Sequence, residues 1–153
     1  MNLRGMKKTL TLFAAIALLA CAGVARAQNT VEGSFARTLK VTGAVDLDVK
    51  TGSGSIHVRA GAAGTVQVSA KIKAREGWFG SLSAEEKVHR LEANPPIEQN
   101  GNIIRIGQIE DRELQNNVSI NYELVVPADT RLRSHSGSGS VTADGVRGPV
   151  EAG

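Results

Sequence analysis

The chain has little of what commonly reinforces a small protein. It contains one cysteine, Cys21, so no internal disulfide can form. Aromatic residues make up only 3% of its 153 residues. A core must therefore be built mainly from Val, Ile, Leu and Ala, which favours thin layers of β-branched side chains. No apolar run reaches the roughly 20 residues that a membrane-spanning helix needs. These shortages predict a mainly β protein that does not span a membrane.

The N-terminus carries the pattern of a secretory signal peptide. Basic residues within residues 1–8 precede an uncharged apolar run at residues 10–20. The letters "ARAQ" at 25–28 then match a signal peptidase site that is cut after Ala27. We therefore expect residues 1–27 to be a signal peptide and the protein to be periplasmic, outer-envelope or extracellular.

A second form of processing competes with that cleavage. The letters "LLAC" at 18–21 resemble a bacterial lipobox, in which Cys21 would be lipidated, although Leu19 fits that motif poorly. The sequence leaves three outcomes open: soluble secretion, a lipid anchor at Cys21, and an uncleaved N-terminal anchor.

The basic character of the chain lies in this leader. Four of the 18 Lys and Arg residues fall within residues 1–27, which contain no acid, so 14 basic residues face 15 acidic ones in the remainder. A mixed, nearly neutral surface gives no reason to expect a nucleic-acid partner. The remainder, residues 28–153, has the length of a single domain.

Three segments alternate apolar and polar residues with a period of two. They are residues 44–50, 65–74 and 118–127. Such alternation predicts β-strands with one buried face and one solvated face.

One segment has the pattern of a short surface helix instead. Residues 83–93 open with Ser83 and Glu86 at the spacing of a capping box, and the "NPP" at 94–96 would end the helix. Next, residues 97–106 read as a hairpin, with Asn100-Gly101 as its two-residue turn. We expect this helix and hairpin to form an insert over residues 75–115.

The sequence repeats a Gly-Ser motif. "GSGSI" begins at Gly52 and "GSGSV" at Gly137; "GAAGTVQV" at 61–68 then matches "GVRGPVEA" at 145–152. Glycines at fixed offsets mark corners that need positive φ or close backbone approach, and serines cap such corners. The repeat predicts a β-solenoid or β-helix-like stack of short strands. The expected structural corners are Gly52, Gly54, Gly137 and Gly139.

These blocks, in this order, resemble the DUF4097 family of β-strand-repeat, adhesin-like bacterial envelope proteins. The likeness extends over residues 35–153 and includes the Gly-Ser repeats, the insert and "VSINYELVVPADTRLRS" at 118–134. It implies a β-solenoid-like fold, export, and no enzymatic activity, cofactor or catalytic residue to transfer.

Members of that family usually continue through several more such repeats, whereas this sequence stops at "VEAG". We therefore expect a chain truncated within a repeat, with Val141 and Val150 near an open edge. An open edge exposes unpaired backbone, which predicts marginal stability or self-association.

Candidate chemical groups are few. The Gly-Ser motifs lack the Lys-Ser/Thr of a phosphate-binding loop. Asp46 and Asp48 share one strand face, as paired carboxylates do in some β-helix enzymes, but the repeat aligns them with Arg131 and Arg133, which favours solvated surface positions. His57, His89 and His135 have no metal-site spacing. We expect no catalytic residue, metal site or cofactor.

The two aromatic residues Trp78 and Phe79 admit two interpretations. They lie between glycines and charges in "REGWFGS", outside any regular strand. Because aromatics are so few, the favoured interpretation is a plug that closes one end of the apolar stack; the other is an exposed anchor for a sugar or a protein.

The sequence therefore predicts a non-enzymatic binding or structural module, whose partner would be an envelope polysaccharide or protein. The alternatives are a carbohydrate-active β-helix enzyme and an accessory of envelope signalling.

Overall fold

The computed structural model describes residues 29–153. Strands contain 52% of these residues and helices 11%, which confirms a mainly β fold. The predicted signal peptide and Cys21 lie outside the described residues. Within the described range, neither helix has the length and apolarity that crossing a membrane would require.

Ten strands and two short helices make up this part of the chain. In chain order they are β1 (Thr30–Lys40), β2 (Asp46–Thr51), β3 (Ile56–Gly61), β4 (Thr65–Arg75), α1 (Ala84–Ala93), β5 (Ile97–Asn100), β6 (Ile103–Ile106), α2 (Arg112–Gln115), β7 (Val118–Pro127), β8 (Arg131–Ser136), β9 (Val141–Asp144) and β10 (Val150–Ala152).

The strands form two five-stranded sheets. One sheet, sheet A, has the order β1-β4-β7-β3-β9, and the other, sheet B, has the order β10-β8-β2-β6-β5. Alternate residues of the strands are buried in a single apolar core, as in β4, where Val66, Val68, Ala70, Ile72 and Ala74 are all buried. The predicted two-residue alternation is thus confirmed for β2, β4 and β7.

The two copies of the Gly-Ser repeat lie side by side. Strand β2 pairs in parallel with β8, and β3 pairs in parallel with β9, at the offset that aligns the repeat in the sequence. The corners between these strands also bond to each other: the Gly137 amide donates to the Thr51 carbonyl (3.0 Å), and the Gly54 amide donates to the Ser138 carbonyl (3.0 Å). The two copies of the repeat therefore have the same structure over one strand, the Gly-Ser corner and the next strand.

Beyond the second strand of each copy the equivalence ends. The first copy continues into β4, which runs antiparallel to β7 in sheet A. The second copy continues into β10, which runs parallel to β8 in sheet B. The predicted match between residues 61–68 and 145–152 is consequently wrong as a structural equivalence. Among the described strands, β9 and β10 form the edges on the same side of the two sheets.

The predicted hairpin is present, but its turn is shifted. Asn100 pairs with Ile103, so the two loop residues are Gly101 and Asn102, with Gly101 at φ +60°. Strand β6 also pairs in parallel with β2, and its Ile104 and Ile106 are completely buried. This hairpin, which was expected to belong to an insert over residues 75–115, is therefore part of sheet B.

Helix α1 begins where the sequence predicts. The Ser83 hydroxyl accepts from the Glu86 amide (3.1 Å), while the Glu86 carboxylate pairs with Arg90. The helix packs against β1 and β4. A Cβ atom at Gly33 of β1 would lie 2.3 Å from Cγ1 of Val88, so the absence of a side chain at Gly33 allows this close packing.

One row of side chains crosses three strands of sheet A. Phe35 of β1, Ala70 of β4 and Tyr122 of β7 are partners in register. The small Ala70 lets the rings of Phe35 and Tyr122 meet edge to face, with centroids 6.4 Å apart. Phe35 and Tyr122 are thus both buried, and their rings contact each other in the core.

Candidate functional site

Trp78 and Phe79 project into solvent. Their exposed fractions are 95% and 91%, which are the largest among the exposed large hydrophobic residues of the described chain. The favoured sequence interpretation, a buried plug, is therefore wrong, because neither side chain packs into the apolar core. The structure agrees with the alternative of an exposed aromatic pair.

The loop that carries this pair is held at both ends. The Glu76 carboxylate accepts from the Ala84 amide (2.9 Å) at the start of α1, and the Ser81 hydroxyl donates to the Glu113 carboxylate (2.7 Å) on α2. Gly80 has φ +139°, a conformation that side-chain-bearing residues rarely adopt. Anchoring both sides of the aromatic pair reduces the ordering that a partner would have to impose.

The corner glycines differ in what surrounds them. Gly54 and Gly139 have φ values of +128° and +150°, and added Cβ atoms would lie 2.2 Å and 2.0 Å from backbone oxygens. At Gly137 an added Cβ would lie 2.6 Å from the Gly52 carbonyl oxygen. At Gly52, however, a Cβ would meet no heavy atom within 4 Å. All four glycines lie at the predicted corners between strands. Gly54, Gly137 and Gly139 require glycine for steric reasons, whereas Gly52 does not.

The acidic pair on β2 faces basic partners. Asp46 and Asp48 lie opposite Arg131 and Arg133 in the parallel register, as the repeat predicts. Arg133 bonds diagonally to Asp46 (3.1 Å), and this hydrogen bond raises the pKa of Arg133 above its ordinary value. Both side chains are more than a third exposed, so the pair is a solvated surface contact.

The three histidines lie on different elements. His57 is on β3, His89 on α1 and His135 on β8, and all three are exposed. Across residues 29–153, no three His, Cys, Asp or Glu side chains are grouped as metal ligands would be.

A cavity that the sequence did not predict opens between the ends of the sheets. It has a volume of about 340 Å³ and lies where β2 and β6 end and β7 begins. Gly52 lines it, which explains the free space beside that residue. The sequence signal that could have pointed to the cavity is the connection between β6 and β7. Residues 107–117 form this connection, include α2 and lack the Gly-Ser-Gly-Ser motif of the two Gly-Ser corners.

Among the described residues, the Tyr122 hydroxyl is the one buried side-chain polar group without a hydrogen-bond partner. Tyr122 is completely buried and lines the cavity. Burial raises the pKa of this hydroxyl above its ordinary value, so it stays a neutral O–H group at physiological pH.

No family model, no curated protein and no solved structure matches the chain.

Proposed function

We propose that this protein is an exported, non-enzymatic, β-solenoid-like module of the bacterial envelope that binds an envelope polysaccharide through Trp78 and Phe79. The single observation that carries the binding role is the near-complete exposure of these two adjacent aromatic side chains. Export rests on the leader pattern of residues 1–27, and the envelope setting rests on the resemblance to adhesin-like repeat proteins.

The pairing of the two repeats supports the β-solenoid-like architecture in this proposal. Parallel pairs β2–β8 and β3–β9, joined by bonded Gly-Ser corners, are what successive turns of a β-solenoid would form. Strands β6 and β7 pair in parallel with β2 and β3 and would supply a further turn with a longer corner.

A sugar ligand is favoured by the chemistry around the aromatic pair. Aromatic rings offer flat apolar faces on which the C–H face of a sugar ring can stack, and exposed aromatic anchors supply much of the contact energy at interfaces. The carboxylates of Asp46 and Asp48 face arginines, which supports a binding role over the alternative of a carbohydrate-active enzyme.

Co-sedimentation with purified peptidoglycan sacculi tests this function. We expect the chain to sediment with the sacculi and the double variant Trp78→Ala/Phe79→Ala to stay in solution. Ile103→Ala is the matched control, because Ile103 is also an exposed apolar residue (52%) but lies on β6. Equal sedimentation of all three proteins would contradict the assigned surface. Failure of the unaltered chain to sediment would contradict the polysaccharide and favour an envelope protein as partner.

Self-association through the edges β9 and β10 is a separate expectation. Val150 is 44% exposed on β10, and edge strands offer unpaired backbone groups to a second chain. Size-exclusion chromatography over a range of concentrations tests it, with a concentration-dependent shift expected from the unaltered chain and a smaller shift from Val150→Lys. A concentration-independent monomer would contradict it.

A further inference from the structure

We propose that the cavity beside Gly52 binds a small aliphatic amino acid, with its carboxylate at the Gly52 amide and Lys50 and its amino group at Glu110. This site is separate from Trp78 and Phe79 and does not rest on the function assigned to them.

The cavity lies where strand β2 loses one of its two neighbours. β2 lies between β8 and β6, and its pairing with β6 ends at Ile106. The next amide along the chain, that of Gly107, donates to the Pro96 carbonyl (2.8 Å), and residues 107–117 then lead to β7 through α2. The end of β2 therefore has β8 on one side and the cavity on the other.

The Gly52 amide is a hydrogen-bond donor that points to this open side. The preceding carbonyl, that of Thr51, accepts from the Gly137 amide on the β8 side (3.0 Å). In a trans peptide the C=O and N–H groups point in opposite directions, so the Gly52 N–H points away from β8. Gly52 is exposed and lines the cavity, and its amide has no acceptor among residues 29–153. A carboxylate is a suitable acceptor, because hydrogen bonds to ionised oxygens are stronger than neutral ones.

Two unpaired charges of opposite sign lie at the rim. Lys50 and Glu110 both line the cavity and are exposed, and neither belongs to an ion pair of the described chain. His135 is the partner of Lys50 in the register of β2 and β8, and it lines the cavity as well. A ligand with a single charge is attracted by one of Lys50 and Glu110 and repelled by the other, whereas an amino acid has a charge for each.

Several apolar side chains also line the cavity. Ile109 and Leu114 come from the connection between β6 and β7, and Val118 and Ile120 come from β7. Ile109, Leu114 and Val118 are only partly buried, so a ligand that covers them removes apolar surface from water. The wall thus combines polar groups for the two charges of an amino acid with apolar groups for its side chain.

The volume sets the size of the molecule. A cavity of roughly 150 Å³ accommodates benzene. The volume of about 340 Å³ is therefore large enough for leucine, and it falls at the lower end of the range for ligand sites.

Titration of the full chain with L-leucine, followed by amide chemical shifts, tests the site. We expect saturable shifts at Gly52, Gly107 and Ile120. Leucinamide lacks the carboxylate and N-acetyl-leucine lacks the charged amino group. We expect each of them to bind about two- to fivefold more weakly than leucine, the loss typical of one solvated ion pair.

Charge variants assign each end of the ligand. Lys50→Gln should weaken leucine about two- to fivefold and leave leucinamide unchanged, because leucinamide has no carboxylate to lose a partner. Glu110→Gln should weaken leucine to the same extent and should not weaken N-acetyl-leucine. Lys71→Gln is the matched control, since Lys71 is an exposed lysine on β4 that does not line the cavity, and it should bind leucine unchanged.

Two further variants test the location. Gly52→Leu should fill the cavity and abolish the shifts, while the rest of the spectrum stays that of the folded protein. Leu114→Trp fills it from α2 and serves if Gly52→Leu does not fold. Three results would overturn the proposal: no saturable shifts with leucine, equal affinity for leucine and its two derivatives, or unchanged leucine binding in a folded cavity-filling variant.

Discussion

Gly137 lies directly against Gly52, yet the two positions are not interchangeable. A Cβ at Gly137 would be 2.6 Å from the Gly52 carbonyl oxygen, whereas a Cβ at Gly52 would have open space around it. The same motif therefore occupies a closed corner in its second copy and the border of a cavity in its first. This relationship leads to a matched pair of variants.

Gly137→Ala should destabilise the protein by about 1–3 kcal/mol, the usual cost of overpacking. Gly52→Ala should change the free energy of unfolding little, or increase it by about 0.4–1 kcal/mol, because alanine restricts the unfolded chain. Urea unfolding of both variants measures the difference. Equal costs at the two positions would mean that the corner at Gly52 is as closely packed as the corner at Gly137.

Tyr122 should make stability depend on alkaline pH. Its pKa is raised in the folded protein by burial, so the unfolded chain releases this proton at a lower pH than the folded chain does. The stabilising contribution is complete below the unfolded pKa, near 10, and is lost as the pH rises above it. Tyr122 is the only tyrosine, so the absorbance of tyrosinate reports this residue alone.

We therefore expect tyrosinate to appear in the native protein only at a higher pH than in urea. Tyr122→Phe should lose this part of the alkaline destabilisation while folding normally at neutral pH. Titration of the hydroxyl at the same pH in native and unfolded protein would show that Tyr122 is accessible to water.

The ion pair between Arg133 and Asp46 should matter little for stability. Both groups are solvated, and exposed pairs are screened by salt. We expect Arg133→Gln to leave the melting temperature nearly unchanged at physiological salt. Arg147→Gln is the matched control, because Arg147 approaches Asp129 at 3.9 Å with both side chains 77% exposed. A large loss of stability in Arg133→Gln alone would contradict a solvated role for the pair.

Much of the fold could be predicted because local signals and packing agree. The alternating strands, the Ser83 cap and the contact of the Gly-Ser corners follow from side-chain period and glycine geometry. Strand β1 was not predicted, because Gly33 and Arg37 interrupt the apolar alternation of Val31, Phe35 and Leu39. The hairpin turn was placed one residue early, since either pairing satisfies a turn that contains Gly101.

The candidate site was harder to predict. The scarcity of aromatics suggested that Trp78 must help to close the core, but the aromatic side chains that are buried are Phe35 and Tyr122, which contact each other. Such long-range contacts depend on strand order, which the alternation of a single segment does not specify. The cavity likewise depends on how the corner at residues 107–117 sits beside the first Gly-Ser corner.

Fluorescence quenching of Trp78 tests the central claim most directly, because this residue is the only tryptophan of the chain. We predict red-shifted emission and strong quenching by acrylamide and iodide in the free protein, with clear protection when soluble peptidoglycan fragments are added. Trp78→Ala should melt at nearly the same temperature as the unaltered chain, since its side chain is 95% exposed. Blue-shifted emission that resists quencher in the free protein, or quenching that the fragments do not change, would contradict the assignment of this surface.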